Sequence, residues 1–206
     1  RSMLGPIPFK RYVLALLTVL LIQTPVEHSA LIALQPSSAY ATTGDSISLD
    51  LVVSGLGNFG ADSLGAFDIS VGYDPGVLSF TSYSLGNFLG NIALAEALDS
   101  SSGNLGSAVN VAEVSLLSVI GLDTLQPGAF TLASLYFDVT HFAVGAVTLL
   151  SVFSGHVLAD AYGAPLTATS TGPASVAAIS VPGTAFLLIA SMFGWLTLKR
   201  RQSIQH

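Results

Sequence analysis

Along the middle of the chain, apolar and polar residues alternate with a period of two. Ile47, Leu49, Leu51 and Val53 are interleaved with Ser46, Ser48, Asp50 and Ser54, and Phe67, Ile69, Val71 and Tyr73 with Asp68, Ser70, Gly72 and Asp74. Further on, Thr131, Ala133, Leu135, Phe137 and Val139 are set against Leu132, Ser134, Tyr136 and Asp138. Successive side chains of a strand point to opposite faces, so this alternation predicts half-buried strands, apolar on one face and wet on the other. Further strands are predicted at about 31–35, 77–84, 107–119, 144–153, 155–160 and 174–179. Turn signals separate the runs, among them Thr43-Gly44-Asp45, Asp74-Pro75-Gly76, Gln126-Pro127-Gly128 and Tyr162-Gly163-Ala164-Pro165. Only Ala93 to Leu98 reads as a helical turn, and Thr167 to Pro173 reads as a polar loop. Eight or nine short strands joined by Gly- and Pro-rich turns predict an all-β fold, a single antiparallel sandwich.

The two ends follow a different pattern. Lys10-Arg11 precede the apolar run Tyr12 to Ile22, which Gln23-Thr24-Pro25 break. A basic start and a short apolar run predict a secretory signal peptide over residues 1–30, cut near Ala30, the alternative being an uncleaved N-terminal anchor. At the far end, Pro182 to Leu198 carry no charge, and Phe186, Leu187, Leu188, Ile189, Phe193, Leu196 and Leu198 make the segment apolar. As a helix it would span roughly 25 Å, close to the ~30 Å of a hydrocarbon core. Lys199, Arg200 and Arg201 follow at once, and such a cluster holds its side of a membrane helix in the cytoplasm. The predicted division is therefore a signal peptide (1–30), an exported sandwich (31–179) and a C-terminal segment (181–206) with a transmembrane helix over 182–198 and a basic tail over 199–206.

Charge separates along the same lines. All six Lys and Arg residues are terminal, and residues 31–180 contain eleven of the twelve acids with no Lys or Arg, a formal charge of −11. Without cations the body cannot displace counterions from a nucleic-acid backbone, so nucleic acid is excluded as a partner. Such a body is also repelled by anionic lipid and attracts divalent cations. The chain has no cysteine, which excludes disulfides, thiol catalysis and Cys-ligated metal.

No reaction centre stands out. The sequence lacks a Gly-x-Ser-x-Gly elbow, a His-Glu-x-x-His helix, a Walker loop and a dinucleotide glycine fingerprint. Of the two body histidines, His156 with Asp160 and a serine could form a triad in space, whereas His141 reads as a solvated turn residue. Asp50, Asp68 and Asp138 could pair as glycosidase carboxylates, yet each falls on the polar face of a strand. Asp45, Asn58, Asp62, Asp99, Asn104 and Asp123 are loop oxygens of the kind that bind Ca²⁺, without EF-hand spacing and without a defined ligand set. The expectation is a non-enzyme without a resident cofactor.

Two resemblances add to this reading. Val181-Pro182, an apolar helix and Lys199-Arg200-Arg201 together resemble the PEP-CTERM sorting signal. Gly183 and Thr184 stand where that family usually has Glu and a second Pro. The sorting motif is thus Val181, Pro182, Gly183 and Thr184, and the resemblance implies recognition by an exosortase in a Gram-negative envelope. An ordinary anchor that is never cut has the same layout. In the body, Ser46 to Leu51 and Gly65 to Phe80, which includes Tyr73-Asp74-Pro75-Gly76-Val77-Leu78-Ser79-Phe80, resemble the opening strands of a cohesin-type domain. Phe130 to Val139 and Leu158 to Leu166 resemble its later strand and closing hairpin. What this implies is a nine-stranded jelly roll. The expected function is an exported, surface-displayed structural or interaction protein, with an exosortase and extracellular polysaccharide as the partners implied by resemblance. A binding module that docks a partner protein by its sheet face is the alternative, and a secreted hydrolase is the third reading.

Overall fold

The computed structural model describes residues 29–179. Its strands in chain order are β1 (Ser29–Pro36), β2 (Tyr40–Ala41), β3 (Ser46–Ser54), β4 (Leu64–Gly72), β5 (Leu78–Leu85), β6 (Ala97–Asp99) and β7 (Gly103–Asn104). They continue as β8 (Ala108–Ser115), β9 (Ala129–Val139), β10 (Val147–Val152), β11 (Val157–Asp160), β12 (Thr167–Ser170) and β13 (Ala174–Ala178). One short helix, α1 (Val119–Leu125), lies between β8 and β9. Five strands form one sheet in the order β12-β1-β3-β9-β5. The other runs β2-β13-β10-β4-β8-β6, with β11 also along β4 and β7 also along β8.

The period-two pattern explains how the sheets close on each other. Ile47, Leu49, Leu51 and Val53 of β3 and Phe67, Ile69 and Val71 of β4 are all buried, and they meet Leu135 and Phe137 of β9 and Leu150 of β10 between the layers. The Phe137 ring packs at 5.1 Å from that of Tyr73 and 5.8 Å from that of Phe80. Each fully buried Leu, Ile or Phe contributes about 1.5–3 kcal/mol, so this layer is the main source of stability.

The architecture is the expected all-β sandwich, with corrections of detail. Thirteen strands form among the described residues, not nine, because short pieces such as β2, β6, β7 and β12 fill the edges. The sandwich is not wholly antiparallel: β12 pairs parallel to β1 and β13 parallel to β2. The expected loop at 167–173 thus contains a strand, which the free edge of β1 recruits. The first strand begins at Ser29, and Ala30 is buried, two residues before the expected boundary. The strand expected over 107–119 stops at Ser115; Ser118 then caps α1 by accepting from the Gly121 amide at 3.2 Å. The helical turn expected at 93–98 is a 3₁₀ turn at Ile92–Leu94 followed by β6. In β9 a bulge opposite Leu51 and Val52 shifts the phase, so Leu132 is buried together with Ala133. Among the described residues no helix is long and apolar enough to cross a membrane. The expected helix at 182–198, the motif Val181, Pro182, Gly183, Thr184 and the cations Lys199, Arg200, Arg201 lie outside them, as does the signal segment up to His28.

Candidate functional site

The two outer faces of the sandwich differ in chemistry. On the five-stranded sheet the register aligns Ser46 with Asp138 and Ser79, Ser48 with Tyr136 and Ser82, and Asp50 with Ser134 and Ser84. Ser46 donates to Asp138 at 2.7 Å and Ser134 donates to Asp50. This is a polar ladder whose side chains satisfy one another and water. A shallow groove of about 420 Å³ runs over it, lined by Ser37, Ser46, Ser48, Thr81, Tyr136 and Asp138 among others.

The larger sheet presents the opposite face. Its strands alternate as well, but Val147 and Leu149 of β10, Val157 of β11, Val114 of β8, Leu98 of β6 and the adjoining Phe153 all remain exposed. Between them β4 and β8 offer small residues, Ala66, Ser70 and Gly72 beside Ala108, Asn110 and Ala112, which keep the centre flat. The register sets Val157 beside Asp68 and Ala66 beside Val114, with Leu98 beyond. Asp68 is the charge at the middle of this face: it accepts from Asn110 Nδ2 at 2.7 Å, and the same amide nitrogen lies 3.2 Å from Ser70 Oγ. Asn110 Oδ1 accepts from the Ser102 amide at 2.9 Å, which ties the face to the link between β6 and β7. At one end a groove of about 400 Å³ opens, lined by Tyr73, Asp74, Val147, Leu149 and Phe153 among others. Gly72 forms its seat. A Cβ there would meet the Phe153 ring at 2.3 Å, so the ring can lie against the strand only because that position is glycine.

The residues weighed for catalysis do not converge. His156 places Nδ1 3.3 Å from the Phe153 carbonyl and Nε2 3.3 Å from the Ala168 carbonyl, so both ring nitrogens are engaged with backbone. Asp160 accepts from the amides of Tyr162 and Ala164 at 2.9 and 2.8 Å and closes its own turn. No triad forms from them. His141 is exposed after β9, as a turn residue should be. Asp50 and Asp138 share a face but are four register steps apart, ~13 Å along the strands, beyond the separation of glycosidase carboxylates. Asp68 lies on the other sheet.

The loop oxygens weighed for calcium are also committed locally. Asp45 accepts from the Thr42 amide and hydroxyl at 2.7 and 2.9 Å, and Asn58 from the Gly128 amide at 3.1 Å. Asp99 accepts from Tyr83 at 2.8 Å, Asn104 from Tyr73 at 3.1 Å, and Asp123 from Ser63 at 2.7 Å. Asp62, Asp123 and Asp160 line one small cavity of about 60 Å³, yet no group of three acids or histidines among the described residues could hold a metal ion.

Two internal polar residues escaped the sequence reading. Gln126, just past α1, is buried, with Oε1 accepting from the Leu64 amide and Nε2 donating to the Leu64 carbonyl, both at 2.7 Å. Nε2 also donates to the Phe88 carbonyl at 2.9 Å. The side chain therefore acts as one more strand residue at the head of β4. Glu113 is buried on β8 with neither carboxylate oxygen hydrogen-bonded. Burial, and after it the charge of Asp99, pushes its pKa up to about 7. Extending the alternation of Val109 and Val111 by one step would have placed Glu113 on the inner face.

The sequence matches no family model and no curated protein. Its shape matches solved structures. A chain of a type I cohesin–dockerin complex from Clostridium thermocellum superposes with a TM-score of 0.57 at 13% identity, covering 73% of this chain and 99% of that one. A type II cohesin domain from the cellulosome of Acetivibrio cellulolyticus gives 0.57 at 17% identity, covering 72% and 95%. A non-cellulosomal cohesin from the archaeon Archaeoglobus fulgidus gives 0.55 at 18% identity, covering 77% and 96%. The described residues thus form a cohesin-like sandwich.

Proposed function

We propose that this sandwich is a non-catalytic docking module that binds a partner protein on the outer face of β10, β11, β4, β8 and β6. The observation that carries the reading is the contrast between the two faces, one a polar ladder and the other bearing six exposed large apolar side chains around the Asp68 carboxylate. Large apolar side chains left exposed together on one water-facing sheet favour burial against another protein. The fitting partner presents an apolar patch with a Lys or Arg for Asp68, because the module carries eleven acids and no cation between residues 31 and 180. That several structures of the same shape are cohesins solved in complex with dockerins supports a protein partner over a small ligand.

The module is displayed by its ends. In this proposal Lys10-Arg11 and the following apolar run start export, residues 182–198 halt it, and an exosortase reading Val181-Pro182 releases or re-attaches the module at a Gram-negative surface beside extracellular polysaccharide. The support is the terminal sequence pattern alone.

Substitutions on the two faces test docking. Leu149→Asp and Val157→Asp should abolish co-purification of a single partner while leaving the circular dichroism spectrum unchanged, and Tyr136→Ala should leave both intact. Equal loss from both faces, or none from either, would overturn the assignment of the face. For display, Pro182→Ala should leave a membrane-bound form about 2–3 kDa heavier than wild type, from roughly 25 retained residues at ~110 Da each. Identical full-length masses would mean a plain anchor.

A further inference from the structure

Glu113 has no exposed surface, and neither Oε1 nor Oε2 has a hydrogen-bond partner. Its strand turns it inward on the same side as Val109 and Val111. The residues opposite it in register are Phe67 on β4 and Asp99 on β6. Asp99 accepts from Tyr83 of β5 at 2.8 Å and from the Ser101 amide at 2.9 Å. Burial works to raise the Asp99 pKa, yet these hydrogen bonds hold it below the usual carboxylate range, so Asp99 stays ionised at neutral pH. The groups that face Glu113 are therefore the Asp99 charge from β6, the Tyr83 hydroxyl bound to it from β5, and the uncharged Phe67 from β4. Asp68 points to the other side of β4.

No countercharge exists inside the module. Residues 31–180 contain no Lys or Arg, and His141 and His156 sit in the connections after β9 and β10. Neutralisation of this carboxyl therefore comes from outside the sandwich, as a proton or a cation. A divalent ion needs six or more oxygens, and no group of three acids or histidines among the described residues could hold one. A single proton needs no such shell. The segment across from Glu113 is also held by short ladders: β6 pairs with β8 over three residues and β7 over two.

We propose that Glu113 is a proton-operated latch on the β6–β7 edge of the sandwich: with its proton it lies neutral against Asp99 and the edge stays closed, and without it the two like charges part and β6 and β7 separate from β8. Acid closes the edge and alkali opens it. The direction follows from linkage, because the closed form binds the proton more tightly than an opened, hydrated Glu113 does. This device does not depend on the docking reading, although Leu98 of the docking face rides on β6.

Amide hydrogen exchange of the full chain tests it, read over residues 97–104 and corrected for the intrinsic pH dependence of exchange. With Glu113 titrating near 7 when closed and near its ordinary 4.5 when open, the opening equilibrium should rise about 30-fold between pH 5.5 and 8.5. Glu113→Gln, which keeps the neutral shape, should remove that rise and remain protected at both pH values. Asp99→Asn, which removes the like charge that raises the Glu113 pKa, should make the rise smaller and end it at a lower pH. Carbon-13 NMR of the Glu113 carboxyl in the unaltered chain gives a second readout should the variants fold poorly, with a midpoint of about 7 expected. An ordinary glutamate midpoint, or the same pH dependence in wild type and Glu113→Gln, would overturn the latch. So would restored protection at pH 8.5 on adding millimolar Ca²⁺, which would make the site a cation site.

Discussion

Replacing Gln126 is the most demanding test of how the sandwich is held at its α1 end. Its amide makes three hydrogen bonds, to the Leu64 N–H, the Leu64 carbonyl and the Phe88 carbonyl, at 2.7, 2.7 and 2.9 Å. Leu64 is fully buried and Gln126 is 1% exposed, so water does not reach the two Leu64 groups in the folded state, while the Phe88 carbonyl is half-buried. Gln126→Ala strands up to three backbone polar groups, each costing about 1–3 kcal/mol when buried without a partner. Because one side chain serves all three, the losses overlap, and about 3–5 kcal/mol is expected in total. That is a large share of the 5–15 kcal/mol typical of a domain. Gln126→Glu should be worse at neutral pH, since a carboxylate would face two carbonyls, and should recover part of the loss in acid, where the protonated carboxyl donates once. Urea unfolding of residues 29–179 followed by far-UV circular dichroism measures both. Fluorescence is unsuited because the only tryptophan in the sequence is Trp195, which residues 29–179 do not include. A Gln126→Ala midpoint within about 0.5 kcal/mol of wild type, at unchanged slope, would refute the role given to this side chain.

Further outcomes follow from the same geometry. The folded module keeps the Glu113 proton that the unfolded chain gives up, so this contribution to stability is full below pH 4.5 and is lost as pH rises to about 7. At ~1.4 kcal/mol per pH unit the loss is about 3 kcal/mol, and the difference between wild type and Glu113→Gln in urea unfolding at pH 5 and pH 8 isolates it. Gly72→Ala should displace the Phe153 ring at a cost of about 1 kcal/mol, because a side chain rather than backbone must move, and should weaken docking at the groove; melting temperature and binding report the two effects separately. Since these loop carboxylates already accept hydrogen bonds from within the module, Ca²⁺ and Mg²⁺ at equal ionic strength should shift the melting temperature equally, and a rise specific to Ca²⁺ would contradict that reading.

What the sequence made legible was whatever a period of two could carry. β3 and β4 were readable because serine or aspartate occupies the wet face opposite Leu or Ile, and Ile47, Leu49, Leu51, Val53, Phe67, Ile69 and Val71 are buried as expected, whereas Gly72, expected on the polar face, is buried too. β10 was not readable to the same depth: Val147, Leu149, Leu150 and Val152 are nearly uninterrupted, so periodicity could not tell core-facing Leu150 from exposed Leu149. The docking face therefore stayed invisible, since its apolar residues look like core residues. β12 has no large apolar residue, and it becomes a strand through pairing with β1, a contact made across more than a hundred residues. In α1 the signal was local but faint, a serine cap followed by a glycine at its third position. The triad and carboxylate pairs failed for a geometric reason, because strand register, not sequence proximity, decides which side chains meet.

A partner should meet the sandwich on one face and not on the other. A photo-crosslinking amino acid placed at Val157 and, separately, at Tyr136 in the full chain, illuminated in the producing cells, asks this directly. One protein adduct of defined mass from position 157 and none from position 136 is the expected result, with the adduct lost when Asp68→Lys is added. An adduct from position 136 alone, or none from either position, would contradict docking through the β10–β4–β8 face.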